Sequence, residues 1–163
     1  LTSQPGEGTA VYVSLPFQES KPMIPQEASP VREEDRKRDK RPQKILIVDD
    51  DAATQIQVRM VLEKKGLEAL VVENGEQALE ALAKASFDCV LMDVQMPVLD
   101  GVAATKRIRA SKIMNKDIPI IALTAFAMSG DRENFLAAGM DDYVAKPVDQ
   151  DDLLEALKRN ISV

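Results

Sequence analysis

The sequence contains no histidine and only one cysteine, Cys89. Without histidine the usual general base is missing, and with it the His-dependent triads and imidazole metal sites. A lone cysteine can neither build a disulfide framework nor complete a zinc site, and its place inside an apolar run fits a reducing, cytoplasmic setting. Long hydrophobic runs are absent: nothing approaches the roughly 20 residues a membrane helix needs, and no signal-peptide pattern opens the chain. An excess of positive charge is lacking too, with 21 basic against 27 acidic side chains and a net charge of −6. Wholesale nucleic-acid binding is therefore disfavoured. The chain also begins at Leu1 rather than at a methionine, so a piece of a longer protein is expected. Its chemistry must rest on carboxylates, hydroxyls and lysines.

At 163 residues there is room for one ordinary domain and something smaller. Residues 1–17, LTSQPGEGTAVYVSLPF, hold a Gly-rich turn and an alternating β-type run stopped by Pro16. Gly6-Glu7-Gly8 does not lie between a strand and a helix, so it reads as a hairpin turn rather than a phosphate-cradling loop. Residues 18–43 are rich in proline and charge; they cannot bury enough apolar surface to offset chain entropy and read as a flexible linker.

From Lys44 onward the texture is that of a compact domain. Runs at 44–48, 67–73, 88–92, 118–123 and 142–146 read as strands, and 75–85, 101–111, 129–139 and 149–161 as helices. Another helix follows the first strand, with Ala53, Ile56, Met60 and Val61 on one stripe and Gly66 as its stop. In the helix over 75–85, Ala78, Leu79 and Leu82 face inward. Alternating strands and helices imply βαβ units with right-handed crossovers, hence an α/β fold with a parallel sheet covered on both faces.

The stretch FDCVLMDVQMPVLDG, residues 87–101, then poses a problem. A fully apolar strand ends in a carboxylate, Asp93, whose desolvation is costly unless something pairs with it. In open α/β sheets ligands bind beyond the carboxyl ends of the strands. The first strand delivers Asp49 and Asp50 there, the third Asp93, the fourth Thr124, and the fifth Lys146 followed by Pro147. Crowded carboxylates are relieved by a hard cation with oxygen ligands, and Mg²⁺ suits because it retains waters and shares phosphate oxygens. A carboxylate can attack phosphorus without a base, which gives Asp93 a task, while Lys146 and Thr124 stabilise the phosphoryl oxygens. Taken singly, Asp50 or Asp51 could equally be a helix cap, and Asp100-Gly101 a helix start.

At these residues the chain resembles the receiver domain of two-component signalling. ILIVDDD, LMDVQMPVLDG, PIIALTAFAM and GMDDYVAKP follow one another as that family's motifs do. The resemblance covers residues 44–163 and implies a flavodoxin-like, doubly wound five-stranded sheet of order 2-1-3-4-5. It implies that Asp93 is phosphorylated, that Asp50, Asp93 and the Gln95 carbonyl bind Mg²⁺ with help from Asp49, and that the Lys146–Pro147 bond is cis. It further implies a switch in which Thr124 moves toward the phosphoryl group and Tyr143 fills the space behind it. Gln95 and Phe126 would influence the lifetime of the phosphorylated state.

Residues 1–17 resemble the closing hairpin of the ATP-binding domain of histidine kinases, so the parent is expected to be a hybrid sensor histidine kinase. The input is then its kinase core and the output partner a histidine phosphotransfer protein, with no DNA-binding domain after the last helix. The fragment is expected to be monomeric, without membrane contact, and able to catalyse its own aspartyl phosphorylation without being a kinase. Two other readings compete: a metal-dependent aspartyl-phosphate phosphatase, and a receiver-like adaptor that no longer signals. The phosphatase would place a second acid two residues after the nucleophile, where this chain has Gln95.

Overall fold

The computed structural model describes residues 41–111, 116–125 and 131–161. The expected hairpin, residues 18–40 of the expected linker, and Phe126 lie outside the described residues. The strands are β1 (Lys44–Val48), β2 (Glu68–Val72), β3 (Cys89–Asp93), β4 (Ile120–Thr124) and β5 (Asp142–Ala145). Between and after them come α1 (Ala52–Lys64), α2 (Gly75–Lys84), α3 (Gly101–Ala110), α4 (Asp131–Ala138) and α5 (Gln150–Asn160). The sheet is parallel throughout, in the order β2-β1-β3-β4-β5. The expected five-stranded α/β architecture is the observed one.

Strand alternation divides the core in two. Ile45, Ile47, Cys89, Leu91, Ile121 and Leu123 face α1 and α5, where they meet Val58, Leu62, Leu153 and Leu157. Leu46, Val48, Val90, Met92, Ile120 and Ala122 face the other side and meet Ala78, Leu82, Ala104, Ile108 and Phe135. Because β1, β3 and β4 are covered on both faces they read as unbroken apolar runs, whereas the edge strand β2 is only half covered. Cys89 is fully buried within β3, and burial pushes its thiol far up. Among the described residues no helix is long and apolar enough to cross a membrane.

Helix ends are fixed by local chemistry. Asp51 caps α1 by accepting from the Thr54 amide at 2.9 Å and the Thr54 hydroxyl at 2.7 Å. Those bonds hold its carboxyl below the usual carboxylate range. Asn74 and Asp100 cap α2 and α3 in the same way. Helix α1 stops at Gly66, whose φ of +74° permits the paired closing bonds Gly66 N to Glu63 O and Leu67 N to Leu62 O.

The inward stripe of α1 is a correction. Val58, Val61 and Leu62 are buried, but Ile56 and Met60 are 61% and 51% exposed, and Ala53 is exposed as well. Two apolar stripes run along this helix, offset by about half a turn, and periodicity alone cannot choose between them. Tertiary packing takes the stripe that includes Val58 and Leu62.

Arg109, near the end of α3, joins two loops at the end of the sheet where the strands begin. Its guanidinium donates to the carbonyls of Lys116, Ile118 (2.8 Å) and Gly139 (2.9 Å), and pairs with Asp141 at 2.9 Å. Asp141 in turn accepts from Ile120 N at 2.8 Å. Arg109→Ala should lower stability by about 2 kcal/mol, because two half-buried carbonyls, of Ile118 and Gly139, lose their donor together. Chemical denaturation would show this as a lower midpoint with an unchanged slope.

Candidate functional site

Strand register gathers the polar tips. Val48 lies beside Met92, so Asp49 emerges next to Asp93, the last residue of β3. Asp93 lies beside Leu123, one residue before Thr124, and Thr124 lies beside Ala145, one residue before Lys146. Residues separated by up to 97 positions therefore share one rim. Asp49, Asp93 and Thr124 are buried, Lys146 is half-buried and Asp50 is exposed.

The Lys146 ammonium lies between two acids, 2.7 Å from Asp93 Oδ2 and 2.8 Å from Asp49 Oδ2. The remaining oxygens are held by backbone amides: Gln95 N donates to Asp93 Oδ1 at 3.1 Å, and Asp51 N to Asp49 Oδ1 at 2.9 Å. Lys146 is anchored at its root as well, its own amide donating to Thr124 O at 2.7 Å. Burial raises the Asp49 carboxyl above the usual carboxylate range, against the opposing pull of Lys146. For Lys146, burial favours the neutral amine, but hydrogen bonding to Asp49 and Asp93 prevails and its pKa is raised. The ammonium is thus secured as the counter-charge of the pocket.

One carboxylate oxygen each from Asp49, Asp50 and Asp93 lies within 4.8 Å of the other two. Asp49 Oδ2 is buried, with the Lys146 ammonium 2.8 Å away as its partner. An all-oxygen cluster of two buried carboxylates and one solvent-facing member fits a hard divalent cation that retains waters, as Mg²⁺ does.

The Lys146–Pro147 peptide is cis. Tyr143 pairs with Ala122, two residues before Thr124, so Tyr143 and Thr124 belong to the same face of the sheet. The Tyr143 ring is half-buried against the α2–α4 core cluster. Asp51 and Asp100 prove to be helix caps, whereas Asp50 belongs to the acidic cluster.

Two features of the site escaped sequence reasoning. Gly101 meets the β3 tip so closely that a Cβ there would lie 2.1 Å from Asp93 O. Its position after Asp100 signals a helix start but carries no sign of this contact. Gln55 and Gln57 of α1 reach backbone carbonyls beside the pocket, and no local pattern distinguishes them from solvent-facing glutamines.

Comparison with known proteins agrees with this geometry. The family described as the response regulator receiver domain matches residues 45–158. Sensor protein GacS of Pseudomonas syringae pv. syringae is 42% identical over 116 residues, 70% of this chain and 13% of that protein. Hybrid signal transduction histidine kinase I of Dictyostelium discoideum is 40% identical over 126 residues, 74% of this chain and 7% of that protein. The chain therefore spans only a small part of these curated relatives. A crystal structure of the receiver domain of sensor histidine kinase PA1611 from Pseudomonas aeruginosa PAO1 is 42% identical, with a TM-score of 0.69. The match covers 76% of this chain and all of that one, which has a magnesium ion coordinated in its active-site cleft.

Proposed function

The chain belongs to the response regulator receiver domain family, and from that premise we propose that Asp93 accepts a phosphoryl group from a phosphohistidine in a Mg²⁺-dependent reaction. The observation that carries this reading is the Lys146 ammonium held 2.7 Å from Asp93 and 2.8 Å from Asp49, beside the three-carboxylate cluster. A carboxylate oxygen of Asp93 forms the new bond to phosphorus as the bond from phosphorus to the histidine nitrogen breaks, leaving an acyl phosphate. Lys146 neutralises charge on the phosphoryl oxygens, and the Thr124 hydroxyl donates to one of them. Asp49, Asp50, Asp93 and the Gln95 carbonyl would hold Mg²⁺, which when bound supplies positive charge to the same oxygens.

Phosphorylation then biases a switch through Thr124 and Tyr143, which share one face of the sheet. The donor is a histidine kinase core in the same polypeptide, and the phosphoryl group passes on to a histidine phosphotransfer protein. The names of the relatives support a hybrid sensor kinase as parent. Residues 1–17 are then the end of its ATP-binding domain, 18–43 a tether and 44–163 a cytoplasmic, monomeric receiver.

Incubation with acetyl phosphate and Mg²⁺ should raise the intact mass by one phosphoryl group. Chelating the metal with EDTA should remove that gain, and readdition of Mg²⁺ should restore it. Undiminished uptake in EDTA would refute the metal requirement.

A further inference from the structure

Helix α1 starts directly after the acid pair, and two of its side chains are bonded to backbone on either side of it. Gln55 Nε2 donates to the Asp49 carbonyl at 2.6 Å. Gln57 Nε2 donates at 2.6 Å to the carbonyl of Val148, 91 residues further along the chain. Val148 lies two residues beyond Lys146, is 3% exposed, and packs in the same core cluster as Val58 and Leu153.

The short segment from Lys146 to Val148 therefore has three fixed points. The Lys146 amide is bonded to Thr124 O, its ammonium to Asp93 and Asp49, and the Val148 carbonyl to Gln57. A lysine head rides on a flexible four-carbon stem, so its placement is only as good as that of its own Cα. Packing gives no account of this glutamine, since Gln57 is an exposed residue and its hydrogen bond is only half-buried. What its amide does is tie the lysine-bearing loop to the helix that follows the acids.

We propose that Gln57 is a positioning residue for Lys146, holding the 146–148 loop against α1 so that the ammonium is delivered between Asp49 and Asp93. The inference rests on the reading that Asp93 accepts a phosphoryl group. Gln57 touches neither the acids nor the phosphoryl group; it acts through the Val148 carbonyl. Its loss should loosen the lysine while leaving the carboxylate cluster in place, which separates the rate of transfer from the affinity for metal.

Gln57→Met keeps the length and helix propensity of the side chain but removes the donor, and Gln57→Lys restores a donor. Uptake from acetyl phosphate at saturating Mg²⁺ should slow about threefold in Gln57→Met, toward the lower end of what one hydrogen bond is worth. The Mg²⁺ concentration giving half-maximal uptake should stay unchanged, and Gln57→Lys should recover the wild-type rate. In metal-free protein, NMR should show the Lys146 ammonium signal broadened in Gln57→Met relative to wild type. A wild-type rate in Gln57→Met, or a slowed rate with an unaltered ammonium signal, would overturn the proposal. Wild-type protein that takes up no phosphoryl group would instead defeat the reading of Asp93, leaving the metal-free ammonium signal to decide the role of Gln57.

Discussion

Asp93→Asn should show no gain in mass after incubation with acetyl phosphate and Mg²⁺ under conditions that convert the wild type. The substitution is nearly isosteric and retains an oxygen able to accept from Gln95 N, so the β3 tip keeps its backbone contact. What disappears is the anionic oxygen proposed to attack phosphorus; an amide oxygen is a poor replacement, and the rate should fall by at least about 10³-fold. Asp49 and Asp50 remain in the variant, but the cluster keeps only two of its three carboxylates. Lys146 retains its contact with Asp49 at 2.8 Å, so the pocket does not lose its ion pairing outright. Folding is therefore expected to persist, and a cooperative thermal transition in the variant would separate lost chemistry from lost structure. Modification at wild-type rate in Asp93→Asn would move the acceptor elsewhere.

The second large effect concerns a residue with no functional group. Gly101→Ala should destabilise the domain by about 3 kcal/mol, which for a domain of this size lowers the melting temperature by about 10 °C. A Cβ on Gly101 would lie 2.1 Å from Asp93 O, 2.9 Å from Met92 Cγ and 3.0 Å from the Asp93 carbonyl carbon. The first of these is backbone in a central strand, and it cannot swing aside as the end of a flexible side chain could. Relief requires α3 to retreat from β3, which also strains the bond from Gly101 N to Val94 O. The consequence reaches the pocket, because the displaced carbonyl belongs to Asp93, whose carboxylate is the proposed acceptor. Gly66→Ala provides the contrast: nothing lies within 4 Å of the added atom, so the φ of +74° is the only obstacle. That change should cost about 1 kcal/mol. Calorimetry of the two variants distinguishes a close approach from a conformational requirement.

The difference between these glycines also marks how far the amino-acid order can be read. Gly66 follows the last helical residues of α1 and announces a stop. Gly101 follows Asp100 and announces a start, but its contact with β3 arises only when the sheet and helix layer come together. The strand tips were legible for a simple reason. Strands β1 and β3 are buried apolar runs, so the polar residue that ends each must emerge at the rim, as Asp49 and Asp93 do, whereas Lys146 follows the partly exposed edge strand β5. Helix α1 was less legible because seven of its 13 residues are Ala, Ile, Val, Met or Leu, enough for two competing stripes. Gln57 was invisible, since a bond from a side chain to a carbonyl 91 positions away leaves no periodic trace. The same holds for Arg109, whose partners lie on loops that propensity cannot bring together.

Cys89 has a practical consequence. Its thiol is fully enclosed in a central strand and strongly disfavours ionisation, so it should resist alkylating reagents while the domain stays folded. It is also the sole cysteine of the chain. A second cysteine introduced on the surface would therefore accept a fluorophore or spin label at one defined position, with the native residue left in place.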